Sequence, residues 1–299
     1  RSERGVELAL RSVFAHPDVR SLAVVLSGTG REGRDDYDPL LPLRTSGTDR
    51  PLFCVHPAGG SASVFMTLAQ LLPDEIPVYG LQAKSLSPGQ VGHSSVKEMA
   101  ECYVGSMRKI QPEGPYRLLG WSFGGLIVQE MAAQLEAAGS VVETAILLDA
   151  GLSGDEFENA EDLDETQFLR RQAEAFDLNL DGVADENHKQ AILEQAMRTG
   201  LLPPTSTLSD LEPVLRAMQA APRLMSDWPG CKQLSGPIIY VRASDNKRMD
   251  LPERLTQVTS GTFEIVDVCA AHKDMCNAQE SNKIAAIAAA ILCPDHTQS

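Results

Sequence analysis

Tyr116-Arg117-Leu118-Leu119-Gly120-Trp121-Ser122-Phe123-Gly124-Gly125-Leu126-Ile127-Val128-Gln129-Glu130-Met131-Ala132 is the stretch that decides how this chain folds. A short apolar run leads into Gly120 and a run of good helix formers leaves Gly125, so a strand turns directly into a helix around Ser122. Glycines on both sides remove the Cβ atoms that would clash in so tight a corner. Ser122 is then held out at the C-terminal edge of a sheet, with a helix N-terminus behind it offering backbone N–H groups to a developing anion. This is the pattern of a nucleophile elbow. The competing reading, a glycine-rich turn in which Ser122 merely caps the helix, leaves the flanking strand and helix signals unexplained.

Working outward, short apolar runs alternate with helical segments from Pro51 onward. Strands are expected at Leu52 to His56, Pro77 to Leu81, Tyr116 to Gly120, Ala145 to Asp149, Pro237 to Arg242 and Phe263 to Val268. Helices are expected at Ser63 to Leu72, Val96 to Ile110, Leu126 to Ala138, Pro252 to Val258 and Asn282 to Leu292. Such alternation implies an α/β fold with a mostly parallel sheet flanked by helices. Between Asp149 and Pro237 only helical patterns occur, so residues 151–235 are expected to form a helical lid at the C-terminal edge of the sheet. Its first part, Gly151 to Glu186, carries twelve Asp and Glu against two Arg. A solvated acidic face accounts for that charge better than an electrostatic filter for substrate.

Ahead of Pro51, residues 1–27 show apolar positions at helical spacing, too short to fold alone. Residues 28–50 read as a polar linker ending in the extended piece Leu40-Leu41-Pro42-Leu43, and residues 51–299 as the main domain. A chain of 299 residues with 43% hydrophobic content is long enough for one large core plus an appendage. No stretch reaches the roughly 18 apolar residues of a membrane span, and Arg1-Ser2-Glu3-Arg4 opens no signal peptide, so a cytoplasmic protein without membrane contact is expected. The net charge of −15 argues against nucleic acid as a partner, since phosphate contacts need clustered Lys and Arg. Six cysteines, scattered without a Cys-x-x-Cys pair, indicate neither a zinc site nor a disulfide framework.

Serine at its free pKa is a poor nucleophile and needs a base that is itself oriented by an acid. His272 follows the strand expected at Phe263 to Val268 by a few residues, where an α/β-hydrolase carries its histidine. The other five lie in the appendage, loops, lid, tail or, for His56, at the end of the first strand. Asp149 and Asp245 each end a strand downstream of Ser122 and upstream of His272, and spacing alone does not choose between them. For the oxyanion hole the chain offers the backbone N–H of Phe123 and, in the small-residue turn His56-Pro57-Ala58-Gly59-Gly60, that of Ala58.

Leu52 to Gly60, Gly114 to Gly125, Leu147-Leu148-Asp149 and Ala271-His272, taken in order, resemble the terminal (type I) thioesterase domains of nonribosomal peptide synthetases, among which the enterobactin-type siderophore synthetases look nearest. The resemblance covers nearly all of Leu40 to Leu292. It implies the α/β-hydrolase fold, a triad of Ser122, Asp149 and His272 with Asp245 as the alternative acid, and no metal or other cofactor bound directly. It further implies that a peptidyl or acyl chain arrives on the phosphopantetheine of an upstream peptidyl carrier domain in the same synthetase. Release would follow by macrocyclisation, with or without prior oligomerisation, or by hydrolysis. Gly5 to Leu10 and Val13 to Ala23 resemble the last helices of such a carrier. A stand-alone serine esterase or editing thioesterase, and a non-catalytic docking domain of the same fold, remain the alternatives at this point.

Overall fold

The computed structural model describes residues 37–293 apart from 88, 153–162, 176, 199–201, 203, 247–249 and 278. The expected carrier-like segment, residues 1–27, lies outside the described residues. Seven strands form one sheet: β1 (Leu40–Arg44), β2 (Leu52–Val55), β3 (Val78–Leu81), β4 (Tyr116–Trp121), β5 (Val142–Leu148), β6 (Ile238–Ala243) and β7 (Phe263–Val268). Their order across the sheet is β1-β3-β2-β4-β5-β6-β7, with β1 antiparallel to β3 and every other pair parallel. The chain steps one way from β2 to β3 and the other way from β4 onward. The ends of β2 and β4 therefore flank the switch point, where an open parallel sheet leaves a crevice at the C-terminal ends of its strands.

One boundary moves. Leu40–Arg44, expected to belong to a linker reaching residue 50, is the edge strand of the sheet. Leu41 is fully buried, and the Arg44 guanidinium donates to the carbonyls of Leu72 and Ile76 at 2.8 and 2.7 Å. A short strand with Pro42 at its centre also suits an edge, where one side lacks a ladder partner.

The central strands are apolar because helices cover both faces. Along β2, Phe53 and Val55 join the cluster under α2 (Val96–Ile110) and α3 (Phe123–Ala137). Leu52 and Cys54 face the other cluster, under α1 (Met66–Leu71) and α8 (Ser281–Leu292). That split is the period-two alternation of a strand. Helix α2 starts where Ser95 Oγ accepts from Glu98 N–H, and Glu98 in turn accepts from Ser94 N–H. Between β5 and β6 lie α4 (Glu165–Ala175), α5 (His188–Arg198) and α6 (Leu208–Ser226), and α7 (Leu251–Val258) joins β6 to β7. The three inserted helices share a small core of their own, including Phe168, Leu169, Ile192, Leu193, Leu211 and Leu215. No helix among the described residues is long and apolar enough to cross a membrane.

Arg117, the second residue of β4, is 2% exposed and ties together four parts of the sheet's far end. It donates to Glu143 on β5 at 3.0 Å, to Asp49 at 2.8 Å, and to the carbonyls of Arg50 and Leu292 at 3.2 Å. The last of these caps the C-terminus of α8 with a cation. Replacing Arg117 with Ala takes the buried guanidinium from Asp49 and from the Leu292 carbonyl and leaves Glu143 paired with Arg50 alone. We expect Arg117→Ala to destabilise the fold by about 3 kcal/mol, read as a lower urea midpoint with an unchanged slope.

Candidate active site

The strand-to-helix corner expected at Ser122 is present, and its glycines are required by contact rather than by flexibility. A Cβ on Gly120 would lie 2.3 Å from the Gly124 carbonyl oxygen. One on Gly124 would lie 2.4 Å from the Val55 oxygen, and one on Gly125 2.1 Å from the Ala150 Cβ. Ser122 itself takes φ 55 and ψ −121, a conformation that costs a non-glycine residue on the order of 1–3 kcal/mol and persists only when its surroundings impose it. Those surroundings include the hydrogen bond from Ser122 N–H to the Leu148 carbonyl at 3.0 Å.

Three of the residues singled out in the sequence meet here. His272 Nε2 lies 3.0 Å from Ser122 Oγ, and His272 Nδ1 lies 2.7 Å from Asp149 Oδ2. A carboxylate can only accept, so Nδ1 carries the proton, which makes Nε2 the acceptor toward the serine in the tautomer with a single ring proton. Asp149 is 8% exposed, with φ 44 directly after β5. Burial raises its pKa, but hydrogen bonds from His272, from Asn246 Nδ2 at 2.7 Å and from Ala243 N–H at 3.1 Å outweigh that, holding the carboxyl below the ordinary aspartate value. Asp245, the alternative acid, does not reach the ring. Its carboxylate accepts from the backbone N–H of His272 at 3.0 Å and so fastens the loop that carries the imidazole. The Trp121 ring leans over His272 with centroids 6.0 Å apart.

Two residues of this neighbourhood were not singled out from the sequence. Asn246 is one, and nothing in a lone Asn after a strand signals that it will face a carboxylate. His56 is the other, set aside because it ends a strand. It is 1% exposed, with Nδ1 2.6 Å from the Pro57 carbonyl and Nε2 2.7 Å from Tyr103 Oη. The carbonyl can only accept, so Nδ1 is the donor and Tyr103 donates to Nε2. The Pro57 carbonyl also accepts from Gly60 N–H at 2.9 Å. In a trans peptide the Ala58 N–H points opposite to the Pro57 oxygen, so pinning that oxygen fixes the direction of the N–H. Phe123 N–H stands at the first turn of α3, where no intrahelical acceptor exists.

Among the described residues no three His, Cys, Asp or Glu side chains gather as a group fit to hold a metal ion. The six cysteines are unpaired.

Burial pushes the His56 pKa from 6.5 down to about 4. Between those values the unfolded chain binds a proton at this residue that the folded chain refuses. Stability therefore rises with pH across the window and is lost as pH falls from about 6.5 toward 4. We expect the midpoint of thermal unfolding to drop over that range, and the drop to shrink in His56→Gln, whose side chain does not titrate.

A family model described as a thioesterase domain matches residues 50–292. The malpinin synthetase of Mortierella alpina is 39% identical over 199 residues, covering 67% of this chain and 2% of that protein. The dimodular nonribosomal peptide synthase of Bacillus subtilis strain 168 is 43% identical over 150 residues, 50% of this chain and 6% of that protein. Among solved structures, holo-AB3403, a four-domain nonribosomal peptide synthetase bound to AMP and glycine, superposes with a TM-score of 0.70 at 25% identity, covering 95% of this chain and 22% of that one. The chain thus spans a small part of each of these larger proteins. The family match runs from just before β2 to the end of α8, through the Ser122 corner and the loop of His272, and this chain belongs to the thioesterase domain family.

Proposed function

We propose that this domain releases a peptidyl or acyl chain delivered as a thioester on the phosphopantetheine of an upstream carrier domain. The observation that carries this reading is the continuous chain of short contacts from Asp149 through His272 to Ser122 at the head of a helix. Ser122 Oγ attacks the thioester carbonyl carbon while His272 Nε2 takes the hydroxyl proton. The carbonyl oxygen, now negative, is held by the N–H groups of Phe123 and Ala58. When the tetrahedral adduct collapses, the carbon–sulfur bond breaks, His272 returns its proton to the departing sulfur, and an acyl ester remains on Ser122. Asp149 keeps the imidazole in the tautomer this requires and steadies its cationic form without taking the proton. A hydroxyl or amine of the chain itself then displaces Ser122 to give a ring, or water displaces it to give an acid; the enterobactin-like motifs favour the ring. His56 acts as a positioning residue through the Pro57–Ala58 peptide. The helices inserted between β5 and β6 serve as the lid that keeps water from the ester. Segment 1–27 and the part of 28–50 ahead of β1 fit the end of the carrier and its linker, and the relatives being multidomain synthetases supports that placement.

Reaction with a fluorophosphonate, read by intact mass, tests for an activated serine. We expect Ser122→Ala to abolish both labelling and release, lowering turnover by about 10⁴-fold or more with the circular dichroism spectrum unchanged. Turnover within tenfold of the parent overturns the assignment. Asp149→Asn should lower acylation by about three orders of magnitude or more, and Asp245→Asn by less than about tenfold, because the second touches only the His272 backbone. A ranking in the opposite order excludes Asp149 as the orienting acid.

His56→Phe should lower kcat for acylation by about tenfold to 100-fold while KM changes little, since the Ala58 N–H matters most once the oxygen is charged. Affinity for a boronic acid that mimics the tetrahedral adduct should fall in parallel. A loss shared equally between kcat and KM shows that His56 is only packing.

A further inference from the structure

Beside the Ser122 corner runs a crevice of about 310 Å³. Ala58 and Phe123 line it at the oxyanion end, and α6 closes it from the other side through Ala217 and Leu224. Two cations also line it: Lys84, on the one-turn helix Lys84–Leu86 after β3, and Arg216, on α6. The turn and α6 pack against each other, so the charges reach the same space from two elements far apart in sequence. Among the described residues neither has a carboxylate within 4.0 Å, whereas Arg242 and Lys283 each sit on one and Arg117 on two. The chain as a whole carries 41 acidic against 26 basic side chains, so carboxylates to neutralise a cation are plentiful. Other titratable groups do not cancel this charge within the crevice. Glu98, which faces His93 and Lys84, is exposed and occupied by the N–H and hydroxyl of Ser94 at 2.7 and 2.6 Å. His93, 8% exposed, is lowered by burial and by Lys84 against the pull of Glu98, and His56 is lowered by burial, so both rings are neutral at neutral pH.

We propose that this crevice is a subsite for an anionic group on the thioester substrate, with Lys84 and Arg216 as its specificity-determining residues. The proposal rests on the reading of Ser122 as nucleophile, because the oxyanion end of the crevice sets where the thioester carbonyl lies. Apolar walls formed by Met99, Ala217 and Leu224 suit the carbon skeleton of the ligand, and the two cations suit a carboxylate or phosphate at its end. Either the acyl chain, through an acidic residue, or the carrier arm, through its phosphodiester, presents that chemistry. Each cation is in contact with solvent, so a modest preference is expected rather than an absolute one.

The test compares acylation by two matched pairs of substrates. One pair is a dipeptidyl N-acetylcysteamine thioester carrying Asp or Asn. The other is a neutral acyl group on pantetheine or on 4′-phosphopantetheine. Wild-type labelling by a fluorophosphonate is measured first. Absence of labelling overturns the nucleophile reading and the subsite with it, whereas labelling without any preference for the anion overturns the subsite alone. We expect kcat/KM to favour the anionic member of at least one pair by about fivefold to tenfold, and the preference to shrink at about 0.5 M NaCl. Lys84→Gln combined with Arg216→Gln should bring the ratio close to one, and Lys84→Arg combined with Arg216→Lys should retain it. Preference within the Asp pair assigns the anion to the acyl chain; preference within the phosphopantetheine pair assigns it to the carrier arm. A ratio that survives the double Gln variant overturns the proposal.

Discussion

Helix α3 approaches β4 and its neighbours so closely that no side chain fits between them. The Cβ positions forbidden at Gly120, Gly124 and Gly125 touch the corner itself, the end of β2 and the residue two beyond β5. This close approach fixes more than the turn. It brings the Ala58 loop and the Asp149 strand end to the same point, because each follows a strand hydrogen-bonded to β4. Ser122 and Asp149 both adopt positive φ, and both are held there by backbone hydrogen bonds to the adjacent strand, Ser122 to Leu148 and Asp149 to Val241. Strain of this kind is stable only where surrounding structure over-determines it.

The polar network around that corner is arranged so that each group is left with one role. Asp149 receives three hydrogen bonds, which hold it ionised despite burial and leave it no freedom to turn from the imidazole. His56 is buried deeply enough to stay neutral, and its Nδ1 is a fixed donor to one carbonyl. Asp245 and Asp149, equivalent in the sequence, are separated by geometry: one binds the ring of His272, the other its backbone. Two carboxylates thus fix a single histidine, in orientation and in position.

Of the helices inserted between β5 and β6, α4 and α5 pack into a cluster with the first half of α6, whereas the second half of α6 joins the main core through Ala221 and Leu224. An ion pair between Lys273, beside His272, and Asp177 links the end of α4 to the histidine loop. That pair is exposed on both sides and screened by solvent, so it holds the two segments together only weakly. Helix α6 makes the closer contact. Gly59 and Gly60 lie under Val214, Ala217 and Met218, and a Cβ on Gly60 would come within 3.2 Å of Ala217. Pro213 and Pro222 each remove one N–H from its hydrogen-bond ladder, so the element over the crevice lacks two of its own backbone bonds.

The elements of this fold were legible because their signals are local. The apolar run of β2, the helical spacing of α2 and the glycines around Ser122 each report on neighbours a few residues away. His272 was readable for the same reason, as the histidine shortly after the last strand. Leu40–Arg44 escaped as a sheet strand because its pairing partner, Val78–Leu81, lies far along the chain and its own sequence holds a proline. Which of Asp149 and Asp245 faces the His272 ring, the contacts of Asn246 and His56, and the meeting of Lys84 with Arg216 were decided only by tertiary structure. Each depends on the order of strands across the sheet and on which side chain faces inward at the end of a turn. A single sequence encodes those relations only through the packing of the whole.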